Sequence, residues 1–214
     1  MLRWSLSMLT LIAATLLLAV QPAAAQSRVW DFRAFLDNTP IGYHRFTLNG
    51  EGAVRELKSE TRFEVKLLFI TAYRYAHDAT ERWRGNCLEE LAARTDDNGE
   101  RSVVDAMSAS EGMVVTTGPA RETLPGCVMS FAYWNPQVLR QLRLLNAQTG
   151  KFEADRIAGL GEEAITVRGA LVTAKKFRIT GPKNPIDLWY SAADEWLALE
   201  STVGGGRRLR YSLN

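Results

Sequence analysis

The chain has 214 residues, 46% hydrophobic and 23% charged, with 26 Lys and Arg against 24 Asp and Glu and a formal charge of +2. That composition excludes a disordered, collagen-like or coiled-coil chain, and so small a positive balance gives no reason to expect nucleic acid as a partner. The length allows one domain with a sizeable core.

Met1 to Ala25 reads as an export signal. Arg3 supplies a positive start, Met8 to Val20 is an apolar stretch broken only by two threonines, and Gln21-Pro22 precedes the small-residue site Ala23-Ala24-Ala25. The apolar run is short for a bilayer span. The expectation is cleavage after Ala25 and release of one β-rich domain, residues 26–214, into a bacterial periplasm. The remaining sequence has no second hydrophobic span, so the released chain is not expected to be an integral membrane protein. Cys87 and Cys127 are an even pair in an oxidising compartment, so a disulfide is expected. Closing a loop of that length stabilises a fold by about 4 kcal/mol in the chain-entropy picture, an upper-end figure. The pair lacks the close C-x-x-C spacing of redox and zinc sites.

Alternation dominates the chain beyond the signal. Trp30, Phe32, Ala34 and Leu36 share one face against Asp31 and Arg33, which is the period of a half-buried strand. Asp37 to Pro40 is a turn cluster, and Ile41 to Asn49 reads as the returning strand. From about Leu57 a longer strand places Thr61, Phe63, Val65 and Leu67 opposite Arg62, Glu64 and Lys66. The solid apolar run Leu67 to Ile70 interrupts the alternation and predicts a bend or a short helical turn. Tyr73 to Arg84 then alternates cleanly, with Tyr73, Tyr75, His77, Ala79, Glu81 and Trp83 on one face. Asp96-Asp97-Asn98-Gly99 predicts a hairpin, because Asn-Gly accepts the positive φ angles of a type I′ turn.

Asn135-Pro136 offers an N-cap and a first-turn proline, and Val138, Leu139, Leu142 and Leu145 recur at roughly helical spacing. The spacing predicts one short helix over 136–146. Strands resume at Glu163 to Arg168, Leu171 to Thr180, Ile186 to Ser191, Trp196 to Val203 and Arg207 to Leu213, with turn residues between them. The expected fold is mainly all-β: a single curled antiparallel sheet forming a barrel or β-roll.

Scarce chemistry-bearing residues identify no reaction. The two histidines, His44 and His77, belong to no motif, and Ser130 lacks a G-x-S-x-G context. His77 and Glu81 share a face, yet four residues of strand separate them by about 13 Å, too far for two ligands of one ion. Nothing in the pattern calls for a metal or cofactor. Glu89-Glu90 and Glu162-Glu163 sit beside turns, and Arg207, Arg208 and Arg210 suit the wet side of a strand.

What stands out is the face made by Tyr73, Tyr75, His77, Glu81 and Trp83. In a curled sheet it lines the interior, either as a core whose polar tips reach water at a barrel mouth or as the wall of a cavity for an apolar ligand with a polar end. Leu124 to Pro136, with Phe131, Tyr133, Trp134 and the tethered Cys127, is a lid or plug over one opening or an ordinary packed crossover.

Three stretches resemble a known family: FITAYRYAHDATERWRGNCLEELAARTDDNG (Phe69 to Gly99), PGCVMSFAYWNP (Pro125 to Pro136) and IDLWYSAADEWLALES (Ile186 to Ser201). The chain resembles an uncharacterised secreted bacterial family, domain of unknown function six-one-three-four. Its C-terminal half is more loosely similar to an envelope family, domain of unknown function three-one-zero-eight. The resemblance implies a curled antiparallel β-fold in the envelope and carries no catalytic residues. The expectation is a carrier of a lipid-like molecule, with Tyr73, Tyr75, His77, Glu81, Trp83 and Trp134 as candidate ligand contacts. The alternatives are an envelope interaction module bound to a protein partner, and an enzyme centred on His77 and Glu81.

Overall fold

A computed structural model describes residues 27–181 and 184–214; the expected export signal, residues 1–25, lies outside them. The strands are β1 (Arg28–Leu36), β2 (Thr39–Asn49), β3 (Val54–Leu67), β4 (Ile70–Arg84), β5 (Cys87–Asp97), β6 (Glu100–Ala109), β7 (Gly112–Thr117) and β8 (Ala120–Leu124). A crossover then carries the short pair β9 (Arg143–Leu145) and β10 (Phe152–Ala154). After it come β11 (Arg156–Val167), β12 (Ala170–Thr180), β13 (Ile186–Tyr190), β14 (Trp196–Val203) and β15 (Arg207–Leu213).

Thirteen strands form one antiparallel sheet in the order β11-β12-β13-β14-β15-β1-β2-β3-β4-β5-β6-β7-β8. Every neighbour but one is consecutive in sequence, and the exception, β15 on β1, joins the two ends of the chain. Apolar alternation buries one face of this sheet. Trp30, Phe32, Ala34 and Leu36 point inward as their period of two requires, as do Trp83, Leu91, Ala93, Val104, Ala106, Leu188 and Leu199. The expected all-β, curled antiparallel architecture holds.

Two ends of the sheet can be distinguished. The mouth carries the β1–β2, β3–β4 and β5–β6 turns, and the base carries the β2–β3 and β4–β5 turns. Because β8 and β11 run in the same direction, the crossover must travel from base to mouth. It does so against the inner face. The disulfide between Cys87 and Cys127 fixes its start at the base, and the Leu88 N–H donates to the Val128 carbonyl at 2.9 Å. Val128, Met129, Ala132, Trp134, Val138, Leu144 and Leu145 are then buried. Near the mouth Gly150 passes so close to β7 that an added Cβ would lie 2.3 Å from the Thr117 methyl.

Two expectations need correction and one is sharpened. The helix over 136–146 is one five-residue 3₁₀ turn, Pro136–Arg140, capped by the Asn135 side chain, which accepts from the Gln137 N–H. Gln141 is extended, Leu142 is 80% exposed, and Leu144 and Leu145 are buried from a strand, so the apparent helical spacing mixed two local structures. The bend expected over residues 67–70 is there, as a two-residue hairpin turn, Leu68 and Phe69, between paired Leu67 and Ile70 and not as a helical turn. The strand expected from Glu163 begins at Arg156 instead. That part of β11 is a largely exposed sheet edge with a bulge between Gly159 and Gly161, so it carries no apolar alternation to read.

Candidate functional site

The interior face of β4 is organised by rows of residues that pair across neighbouring strands. Toward the base, Glu81 lies in the row Leu48–Leu57–Glu81–Leu91–Ala106, an acid among apolar side chains. Its two oxygens accept from the Ser130 hydroxyl at 2.8 Å and from the Trp83 indole N–H at 2.9 Å. Burial pushes its carboxyl up to about 7, against the lowering pull of those two hydrogen bonds. Trp83, fully buried, meets Trp134 edge-on with ring centres 5.5 Å apart. Arg55 covers the other side of Trp134 at 4.7 Å and donates to the Gly85 carbonyl. On the far wall the Tyr190 hydroxyl donates to the Tyr133 carbonyl at 2.8 Å, and Tyr133 packs on Trp196 at 5.3 Å. The crossover is therefore a plug that touches opposite walls.

Toward the mouth the rows change character. The row Phe32–His44–Thr61–His77–Thr95 brings both histidines of the chain onto one line across β2 to β5, with Thr61 between them. His77 Nδ1 lies 2.9 Å from the Thr95 hydroxyl. His44 has its two ring nitrogens 2.7 Å from the Ser59 hydroxyl and 3.3 Å from the Tyr211 hydroxyl, and its ring stacks on Phe46 at 4.0 Å. Enclosure among these groups holds His44 well below the usual imidazole value, and burial lowers His77 to about 4. Both rings are neutral at neutral pH. The same desolvation raises the phenols of Tyr75 and Tyr211, so these too are neutral.

The next row, Ala34–Gly42–Phe63–Tyr75–Asp97, marks a fork. Pairing of β2 with β3 stops at Gly42 and Phe63; beyond it β2 stays with β1, while β3 stays with β4. Gly42 is required there: its φ is 145°, and a Cβ would lie 1.9 Å from the Arg62 carbonyl oxygen. At this fork sits an open cleft of about 460 Å³, lined on the outer face by Tyr43, Arg62, Glu64, Arg74, Ala76 and Asp96 and reached from the inner face by Gly42, Phe63 and Tyr75, with Ile41 beside them. Phe63 and Tyr75 stack with centres 5.6 Å apart. The Tyr75 hydroxyl and the Thr61 hydroxyl are buried with no hydrogen-bond partner.

The chain belongs to the DUF6134 family. The family model, Domain of unknown function (DUF6134), matches residues 32–214. No curated protein matches the sequence. Among solved structures, the chain is similar to a beta-barrel-like protein of domain of unknown function DUF1849 from Brucella abortus. The two share 12% identity over 89% of this chain and 95% of that one, with a TM-score of 0.60. That likeness is one of fold.

The six residues singled out from sequence thus divide. Tyr73, Tyr75 and His77 stand on the mouth half of β4, whereas Glu81 and Trp83 are enclosed beneath the plug and Trp134 is the plug's own ring packed on Trp83. His77 and Glu81 are two rows apart, with Ala79 between them on the same face. Among the described residues no three His, Cys, Asp or Glu side chains form a group able to hold a metal ion. No described helix is long and apolar enough to cross a membrane. Sequence reasoning missed His44, Ser59, Thr61, Thr95 and Tyr211 as neighbours of this face. His44 alternates correctly with Phe46, but only the strand register brings it into line with His77.

Proposed function

We propose that this protein is an exported periplasmic carrier that takes a lipid-like molecule, an apolar body with a polar end, at the mouth half of its curled sheet. Tyr75 carries the reading: it lines the 460 Å³ cavity, and its hydroxyl is buried without a partner. An unpartnered buried hydroxyl costs free energy that a ligand's polar group can recover, and a cavity of this size falls within the range of small-molecule sites. Phe63 and Ile41 supply apolar wall, Arg62 and Arg74 line the outer side, and a second unpartnered hydroxyl, that of Thr61, lies one row deeper beside His77. Glu81, Trp83 and Trp134 then serve to seat the plug and close the base, and the ligand contacts narrow to Tyr73, Tyr75 and His77 together with Thr61 and Phe63.

Native mass spectrometry of protein purified from the periplasm, then solvent extraction, tests this. A discrete added mass is expected on the wild-type chain and is lost when Tyr75 is changed to Phe together with Thr61 to Val. A bare oxidised chain, also after incubation with total envelope lipid, overturns the carrier reading.

A further inference from the structure

We propose that the tip of the β3–β4 hairpin is a membrane-docking element that inserts Leu68, Phe69 and Ile70 into a lipid bilayer. These three consecutive residues are 87%, 100% and 73% exposed. Scattered exposed apolar residues are ordinary, but three in a row at the end of a projection are a patch. The projection results from the strand pairing. Beyond Phe63 and Tyr75 the hairpin is ladder-paired with neither β2 nor β5: β2 runs on beside β1 for three more residues to Thr39, β5 turns at once at Asn98-Gly99, and the four strand steps from Phe63 to Leu67 carry the tip about 13 Å past the end of the β5 ladder. The turn chemistry points the same way. Leu68 has φ 57°, a conformation that Asn or Gly adopts readily and a bulky residue rarely does.

The surroundings of the tip decide which occupant fits. Glu64 is the one acid of the extension and is shared by Lys66 at 3.0 Å and Arg74 at 3.2 Å, leaving one positive charge over on two largely exposed cations. Tyr73 lies behind the tip with Asp97 near its hydroxyl. An apolar point, then a Tyr and two exposed cations, Lys66 and Arg74, is the order in which a bilayer presents acyl chains, interface and anionic headgroups. A second copy fits less well: three such side chains offer on the order of 500 Å², short of the roughly 800 Å² per partner of a stable interface. The docking end is also the end with the cavity, although the proposal does not rest on the carrier reading.

Flotation with vesicles of phosphatidylethanolamine and phosphatidylglycerol, 3:1, is the test, on protein expressed from the full chain. Wild type is expected to float with the vesicles, Phe69→Trp to keep that binding, and Phe69→Asp to lose at least tenfold in partition. Phosphatidylcholine vesicles are expected to bind wild type more weakly. Phe69 contacts nothing buried, so the Asp variant keeps the fold, which circular dichroism verifies. Failure of wild type to bind, or equal binding by wild type and Phe69→Asp, overturns the proposal. A dimer in sedimentation that Phe69→Asp dissolves, with no vesicle effect, replaces the bilayer with a second copy. Because the readout is vesicle binding and not bound cargo, the carrier reading can fail while this one stands.

Discussion

The two halves of β4 are built from one alternating sequence, yet they face different interiors. From Ala79 to Trp83 the inward residues meet a plug tied by a disulfide, and the one acid among them has both oxygens engaged. From Tyr73 to His77 the inward residues meet a fork between hairpins, and hydroxyls are left over. The lesson is that alternation fixes which side chains point inward, while the element that covers them decides whether they become core or wall. Uncompensated groups are not confined to the mouth, since the Trp134 indole N–H and Arg55 Nε also lack partners at the base. What separates the halves is the cover: the base lies under the tethered plug, whereas Tyr75 lies beside the open fork.

The largest expected effect tests whether the base is core. Trp83→Ala removes a fully buried indole from between β4 and the plug, along with a donor to Glu81. It is expected to cost about 3–5 kcal/mol in denaturant unfolding. Tyr73→Ala, half-buried on the projecting hairpin, is expected to cost about 1 kcal/mol. Similar costs for the two would erase the distinction between the halves.

The second effect, about 3 kcal/mol for each group, lies in the pH dependence, where the halves act in opposite directions. Glu81 has its pKa raised to about 7 from an ordinary value of 4.5, so its native state holds a proton more tightly than the unfolded chain. Its contribution is fully present below pH 4.5 and is lost as the pH rises through about 7. His77 is lowered to about 4 from 6.5, so its contribution is present above pH 6.5 and lost as the pH falls toward 4; His44 acts in the same sense. Around His77 stand Asp78, which favours its charge, and Arg62, which opposes it. Glu81→Gln is expected to make stability climb more steeply between pH 4.5 and 7, and His77→Gln to flatten that climb. Urea unfolding across this range measures both. Parallel curves for wild type and Glu81→Gln would mean that Glu81 titrates like a solvated acid.

Much of this was legible in the sequence where a physical rule acts locally. Period two in β1 and β4 announced the inner faces, Asn98-Gly99 announced a turn in which both residues have positive φ, and an even pair of cysteines in a chain expected to be exported announced their bond. What was hidden depended on distant pairing. The His44–Thr61–His77 line needs the register of three strands, and the irregular Gly50 to Ala53 connection gave no way to count it. The course of the crossover depends on β8 and β11 running in the same direction. The tip at Leu68 was hidden for the opposite reason: an apolar run normally means burial, and here the forked pairing carries it out past the end of the β5 ladder.

The smallest effect is the most discriminating. Tyr75→Phe deletes a buried hydroxyl that has no partner. If the mouth is a binding wall, this deletion leaves stability unchanged or raises it by up to about 1 kcal/mol, because a desolvation cost is removed and no hydrogen bond is broken. At the base the equivalent change, Ser130→Ala, takes a hydrogen bond from a buried carboxyl and is expected to cost about 1–3 kcal/mol. A hydroxyl that is neutral for folding and needed for lipid retention is kept for function. If Tyr75→Phe instead destabilises as much as Ser130→Ala, the Tyr75 hydroxyl has a structural partner in solution, and the mouth is core of the same kind as the base.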